Sequence, residues 1–316
     1  MTKERILWAD ALKAFAIILV ILGHCLQAID ATSILYKYIY AFHMPLFMAI
    51  SGFCSYKATV HINHLKRRFL QLITPFFVWP LVWYAVKLDF SGIIEYYLRL
   101  PLFPDTGLWF LYVLFLITLV DYCRSKILIK IERFLKWKYL YEYSAIFFIF
   151  LLLLVFCLYK YCALPGNWIN FVALYFPYYM LGCVMHRHTK WLESHLMCFG
   201  SIGGVIYLCA TYFLHAAMWQ PILAVCGIYG CFFLFRKFCN CKMPQLLVFT
   251  GMSTLGIYAV HQPIIHYVKN VMLSSLWMNI AITFVLTYIL SILVVRILRI
   301  SKFTRFLFLG MNKLWQ

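Results

Sequence analysis

Charged residues are scarce in this chain of 316 residues: they form 12% of it, against 65% apolar residues. A soluble domain of that length needs far more polar surface, so a soluble fold is excluded and an integral membrane protein remains. Acidic residues are rarer still, 10 against 28 lysines and arginines, leaving a net charge of +18. That excess does not mark a nucleic-acid-binding protein, because the basic residues fall in short clusters between apolar runs, where the positive-inside rule places them. No A-x-A cleavage site follows the first apolar run, and "ILGHC" sets His24 where a lipoprotein signal needs a small residue before Cys25. The segment reads as a retained first helix. The 12 cysteines are scattered, mostly within apolar runs. Cys239-Asn240-Cys241 lacks the paired spacing of a zinc site, so neither a disulfide framework nor a metal is expected. No soluble domain, long low-complexity segment or clear repeat interrupts the pattern, and residues 1–316 read as one membrane domain.

What is present is a series of apolar runs. A crossing needs roughly 20 apolar residues, and that ruler gives about ten helices, near 11–29, 38–56, 69–88, 107–122, 143–163, 168–185, 196–214, 220–235, 246–268 and 277–297. The expected fold is all-α, a polytopic bundle of membrane helices. With an even number of spans both termini lie on one side. The side holding both termini and the segments at 57–68, 123–142, 186–195 and 236–243 carries 22 of the 28 basic residues. The opposite side carries Lys37, Lys87, Arg99, Lys160 and Lys269. Both termini are therefore expected in the cytoplasm. "GSIGG" at 200–204 suits close helix packing, and the outside segment around 89–106 suits an amphipathic lid.

Within this apolar frame a few polar residues stand out. Positions 11 apart on an α-helix differ by about 20° after whole turns, so Lys13 and His24 share one face, about 16 Å apart along the axis. Asp10 and Gln27 fall near the same stripe. A charge at the bilayer centre costs at least about 2.5 kcal/mol, so such residues line a protein interior or mark a site. For Asp10 and Lys13 two readings compete, an interfacial ion pair with a snorkelling lysine or a functional pair. His24 lies too far inside to be an anchor. In "YAFHMPLFMAISGF", residues 40–53, His43 enters from the outer end beside Pro45, whose missing N–H frees a carbonyl. In "FTGMSTLGIYAVHQPIIHYV", residues 249–268, His261 approaches the outer surface beside Pro263. Three histidines are thus expected at one depth, as a site or as separate packing residues.

A histidine that titrates near neutrality can take a proton from a sugar hydroxyl and so activate the oxygen toward an acyl carbonyl. A serine nucleophile is not favoured, because "GMSTLG" misses the G-x-S-x-G spacing. His24-x5-Asp30 also misses the H-x4-D spacing of soluble-headed glycerolipid acyltransferases. On the cytoplasmic side, Lys66, Arg67 and Arg68 in "HLKRRFLQLITPF" are suited to a phosphate-bearing donor. They are equally suited to anchoring the chain at anionic lipid. The basic residues at 124–138 read as an anchor. A transporter or flippase is the competing class, since a polar intramembrane stripe suits it too; no inverted repeat or pair of broken half-helices supports it.

Taken in order, these motifs resemble the acyltransferase family 3 membrane proteins. Lys13-x10-His24 occupies the place of that family's Arg-x10-His motif. "FHMPLFMAISGF", "KRRFLQLITPF", "GIYAVHQP" and, more weakly, "WFLYVLF" at 109–115 match further motifs across essentially the whole chain. Lys13 keeps the cation but loses the bidentate geometry of arginine, and this D-x-x-K variant is closest to the branch related to fucose 4-O-acetylases. Gln71 replaces a frequent third arginine of the basic motif. The resemblance implies a bacterial cytoplasmic (inner) membrane enzyme with no tightly bound cofactor. Its co-substrate would be an acyl-CoA, usually acetyl-CoA, and its acceptor a surface or lipid-linked glycan handled with polysaccharide-synthesis machinery. It further implies catalytic roles for His24, Lys13 and Asp10, donor binding at Lys66, Arg67 and Arg68, and orienting roles for Gln27, His43 and His261.

Overall fold

A computed structural model describes residues 6–57, 62–104, 107–135, 137–214, 216–239, 244–270 and 275–311, with the side chains of 216–218 excepted. Asn240 and Cys241, which entered the readings above, lie outside the described residues. Those residues form thirteen helices and no strand. The helices are α1 (Leu7–Ile29), α2 (Ile34–Ser55), α3 (Ile62–Lys87), α4 (Ile93–Arg99), α5 (Trp109–Glu132), α6 (Leu140–Tyr161) and α7 (Trp168–Arg187). They continue as α8 (Thr189–Phe213), α9 (Ala216–Phe238), α10 (Gln245–Met252), α11 (Thr254–Val268), α12 (Leu276–Ile300) and α13 (Lys302–Leu309).

Eight of these are long and apolar enough to cross a membrane. The ten apolar runs and these eight helices differ for two physical reasons. α5 covers the fourth run, but its last turns carry Asp121, Arg124 and Lys126. The ninth run, expected as one span over 246–268, is two helices broken at Ser253, which has φ −108° and ψ 6° and closes α10 while opening α11. Gly251 and Ser253, both weak helix formers, stand at the break. Helix ends also extend past the apolar runs, so that only His188 separates α7 from α8.

The chain divides into two compact units. The first comprises Met1–Ser55 and Leu181–Ile297, the second Tyr56–Met180 and Leu298–Gln316. In the first unit α1 and α2 are deeply packed. Leu26, Ile39 and Ile280 form a buried cluster joining α1, α2 and α12. Trp8 meets Phe53 and Phe232 edge-on, with centroids 5.1 and 5.6 Å away. Between helices in lipid such contacts act through dispersion and close fit, since hydrocarbon is as apolar as the side chains. The fit is tightest where glycine allows it. The "GSIGG" stretch of α8 packs directly on α9, and a Cβ on Gly230 would come within 2.9 Å of the Gly204 Cα. A Cβ on Gly251 would lie 2.1 Å from the Asp10 carbonyl oxygen, so α10 crosses α1 backbone to backbone.

In the second unit Trp109 stacks on Phe171 and Tyr175 at 4.8 and 5.2 Å. Arg124 is buried, which overturns its reading as part of a surface anchor. Its guanidinium donates to Asp121 at 2.7 Å and to Ser144 at 2.7 Å, and lies 4.3 Å over the Tyr141 ring. The charge is affordable in the interior because partners from α5 and α6 surround it. α6 is the opposite case: Phe147, Phe150, Leu154 and Leu158 line an exposed apolar face at helical spacing, as expected of a lipid-facing helix. α4, where the outside lid was expected, buries none of its side chains in the protein and is tied to α3 by Tyr97, whose hydroxyl donates to the Phe77 carbonyl at 2.6 Å.

Candidate active site

The C-terminal half of α1 brings His24 and Gln27 to one helix face, three residues apart. The Gln27 Oε1 lies 3.0 Å from His24 Nδ1. α2 supplies Tyr40, whose hydroxyl donates to the same Oε1 at 2.8 Å and lies 3.2 Å from His24 Nδ1. An amide oxygen only accepts hydrogen bonds. Nδ1 of His24 therefore carries the ring proton, and Nε2 holds a free lone pair.

The other two histidines are fixed in the same tautomer by a different device. His43 Nδ1 donates to the Ile39 carbonyl at 2.8 Å, and His261 Nδ1 donates to the Tyr258 carbonyl at 2.7 Å. A carbonyl oxygen cannot donate, so each Nε2 bears a lone pair. Both rings are buried. The Nε2 of His261 makes no hydrogen bond among the described residues, which is costly for a buried polar atom and marks an acceptor held ready for a donor. The rings form one cluster: His261 lies 5.2 Å from His24, and His43 lies 4.7 Å from Tyr40, centroid to centroid. The packing of α1, α2 and α11 brings the three histidine rings into this one cluster.

His24 is only half-buried and borders a cavity of about 260 Å³. Gln27 lines it from α1, Gln262 and His266 line it from α11, and Lys269 lines it from the C-cap of α11. The His24 imidazole thus has protein on one side and an open space large enough for a sugar ring on the other. Tyr40, Gln262 and His266 were not singled out from the sequence, and Lys269 entered only as an outward cation. Gln262, His266 and Lys269 repeat at i, i+4 and i+7, a helical stripe that the period could have shown; nothing local pointed to Tyr40.

Asp10 and Lys13 lie near the other end of α1 and pair at 3.0 Å. Asp10 is buried where α1 meets Gly251, and Lys13 is half-buried. Lys66, Arg67 and Arg68 belong to the second unit, in the first two turns of α3. Lys66 and Arg67 are exposed and Arg68 is half-buried. Lys66 also borders an apolar cleft with Leu65, Phe69 and Phe115. Among the described residues no three histidine, cysteine or acidic side chains come together as metal ligands would.

An all-helical chain with eight membrane-capable helices and a histidine cluster is a multi-pass membrane protein. The family model described as "Acyltransferase domain" matches residues 6–296, and the chain belongs to this family, acyltransferase family 3. It is similar to the nodulation protein NolL of Mesorhizobium japonicum, 29% identical over 204 residues, which are 60% of this chain and 50% of that protein. It is also similar to the nodulation protein NolL of Sinorhizobium fredii, 30% identical over 149 residues, 43% of this chain and 40% of that protein. The chain thus spans about half the length, or less, of these relatives. No solved structure matches it.

Proposed function

We propose that this protein transfers an acetyl group from acetyl-CoA to a hydroxyl of a surface or exopolysaccharide sugar, or of its lipid-linked precursor, in a bacterial cytoplasmic membrane. The observation that carries the reading is the free Nε2 of His24 at the wall of a cavity, its tautomer held by Gln27 and Tyr40. The acceptor hydroxyl gives its proton to His24 Nε2 as its oxygen attacks the thioester carbonyl. The carbon–sulfur bond then breaks, and the departing CoA thiolate takes the proton from His24, which returns the base to its starting state. His43 and His261 back the base and orient it. Lys66, Arg67 and Arg68 hold the donor phosphates through charge-assisted hydrogen bonds. Lys13, paired with Asp10, supports the donor arm. Family membership favours an acyltransferase over the transporter reading of the same intramembrane stripe.

The decisive measurement is acetyl transfer and thiol release by purified full-length protein supplied with labelled acetyl-CoA. General-base catalysis contributes on the order of 10²–10⁴-fold, so His24→Gln is expected to lose at least about a hundredfold in kcat. Undiminished transfer by that variant rejects the assignment of the base.

A further inference from the structure

We infer that the cavity beside His24 is an acceptor subsite for an anionic sugar, its carboxylate or phosphate held by Lys269 and His266. The inference rests on the reading of His24 as the base and adds the class of acceptor.

The first observation is charge placement. Loop charges leave five cations on the outward side, a face from which basic residues are otherwise withheld. Three of these are engaged by the protein, and a fourth, Lys87, interacts electrostatically with the nearby Asp89 carboxylate. Lys37 donates to the Tyr212 carbonyl at 3.1 Å, Arg99 pairs with Glu95 at 3.2 Å, and Lys160 lies 6.0 Å over the Phe156 ring. Lys269 instead lines the cavity, and no hydrogen bond or ion pair among the described residues engages its ammonium. The second observation is the composition of the wall. Lys269, His266 and Gln262 offer three nitrogen-bearing side chains from one face of α11 and its C-cap, and among the described residues no carboxylate lines the cavity to neutralise the lysine. His24 and Gln27 close the opposite wall. A cavity of about 260 Å³ admits one sugar ring, so an anion seated on Lys269 and a hydroxyl presented to His24 belong to the same residue or to adjoining ones. Ala28 and Ile265 supply an apolar patch for the ring face.

Binding tests this without requiring turnover. Purified full-length protein in nanodiscs is titrated with methyl glucoside, methyl glucuronoside and methyl glucoside 6-phosphate, and acetyl transfer to each is measured in parallel. At least one charged probe is expected to bind about tenfold more tightly than the neutral one, with its identity distinguishing carboxylate from phosphate. Lys269→Gln is expected to abolish the preference and Lys269→Arg to retain it, while His266→Gln weakens it in part. The KM for acetyl-CoA stays unchanged in all three. Equal binding of charged and neutral probes overturns the subsite, as does a preference that survives Lys269→Gln. Charge-selective binding without transfer to any acceptor leaves the subsite standing and rejects the acyltransfer reading. Transfer dependent on His24 but indifferent to acceptor charge does the reverse.

Discussion

The Tyr40 hydroxyl and the Gln27 side-chain oxygen, 2.8 Å apart, lock two helices together around the imidazole of His24. Because Gln27 Oε1 also accepts a hydrogen bond from Nδ1–H, N to O 3.0 Å, one oxygen sets both the tautomer and the tilt of the ring. Loss of either partner should therefore act on the chemical step. Tyr40→Phe removes the hydrogen bond to Gln27 and Gln27→Leu removes those to both Tyr40 and His24, each bond worth about 1 kcal/mol. Steady-state kinetics should show kcat reduced roughly five- to tenfold on that scale, with the KM for acetyl-CoA unchanged. A rise in KM alone would place these residues in substrate binding instead.

His261 separates stability from function. Its buried Nε2 is unsatisfied among the described residues, and an apolar ring of similar size relieves that cost. His261→Phe also gives up the Nδ1 hydrogen bond to the Tyr258 carbonyl, so it is expected to unfold close to the wild-type temperature in a detergent thermal-shift assay while acetyl transfer falls at least about tenfold, an effect the size of one lost hydrogen-bond acceptor. Full activity in that folded variant would reduce His261 to a packing residue.

Lys66, Arg67 and Arg68 admit a direct comparison of donor site and membrane anchor. If they bind donor phosphates, Arg67→Gln with Arg68→Gln should raise the KM for acetyl-CoA by about tenfold or more, since charged hydrogen bonds are worth roughly 1.5–3 kcal/mol. The acceptor KM should stay level. Dephospho-CoA thioesters should show a smaller penalty in the variant than in the wild type. An anchor would leave the KM untouched and disturb insertion, read by the accessibility of termini to protease.

Gly251 tests the crossing of α10 on α1. A methyl group there would sit 2.1 Å from the Asp10 carbonyl oxygen, which backbone cannot yield cheaply. Gly251→Ala should lower stability by about 1–3 kcal/mol, the usual range for overpacking. Gly204→Ala provides the control, because its new Cβ would meet its nearest neighbour at 3.6 Å, an ordinary contact. Equal melting temperatures for the two variants would contradict the crossing.

Much of this molecule follows from one-dimensional pattern. The runs of apolar residues determined its helices, because hydrocarbon forces each crossing segment to satisfy its own backbone. The spacing of Lys13 and His24 determined that they share a face of α1, because an α-helix turns 100° per residue. The alternation of basic loops raised the expectation that His24, His43 and His261 approach one another, and the rings do form one cluster. Tertiary structure decided everything that depends on which helix faces which. Only the packing of α2 on α1 puts Tyr40 against Gln27, and only the seat of α11 turns Gln262, His266 and Lys269 into the wall of a cavity. Arg124 carries the same charge as the lysines that follow it in the sequence, yet its burial follows from Asp121, Ser144 and Tyr141 closing over it. The break at Ser253 belongs with these, since an apolar run of that length reads as one span until Gly251 meets the backbone of α1. Periodicity assigns a residue to a face of its own helix; the partner of that face is chosen by long-range packing, which no local pattern encodes.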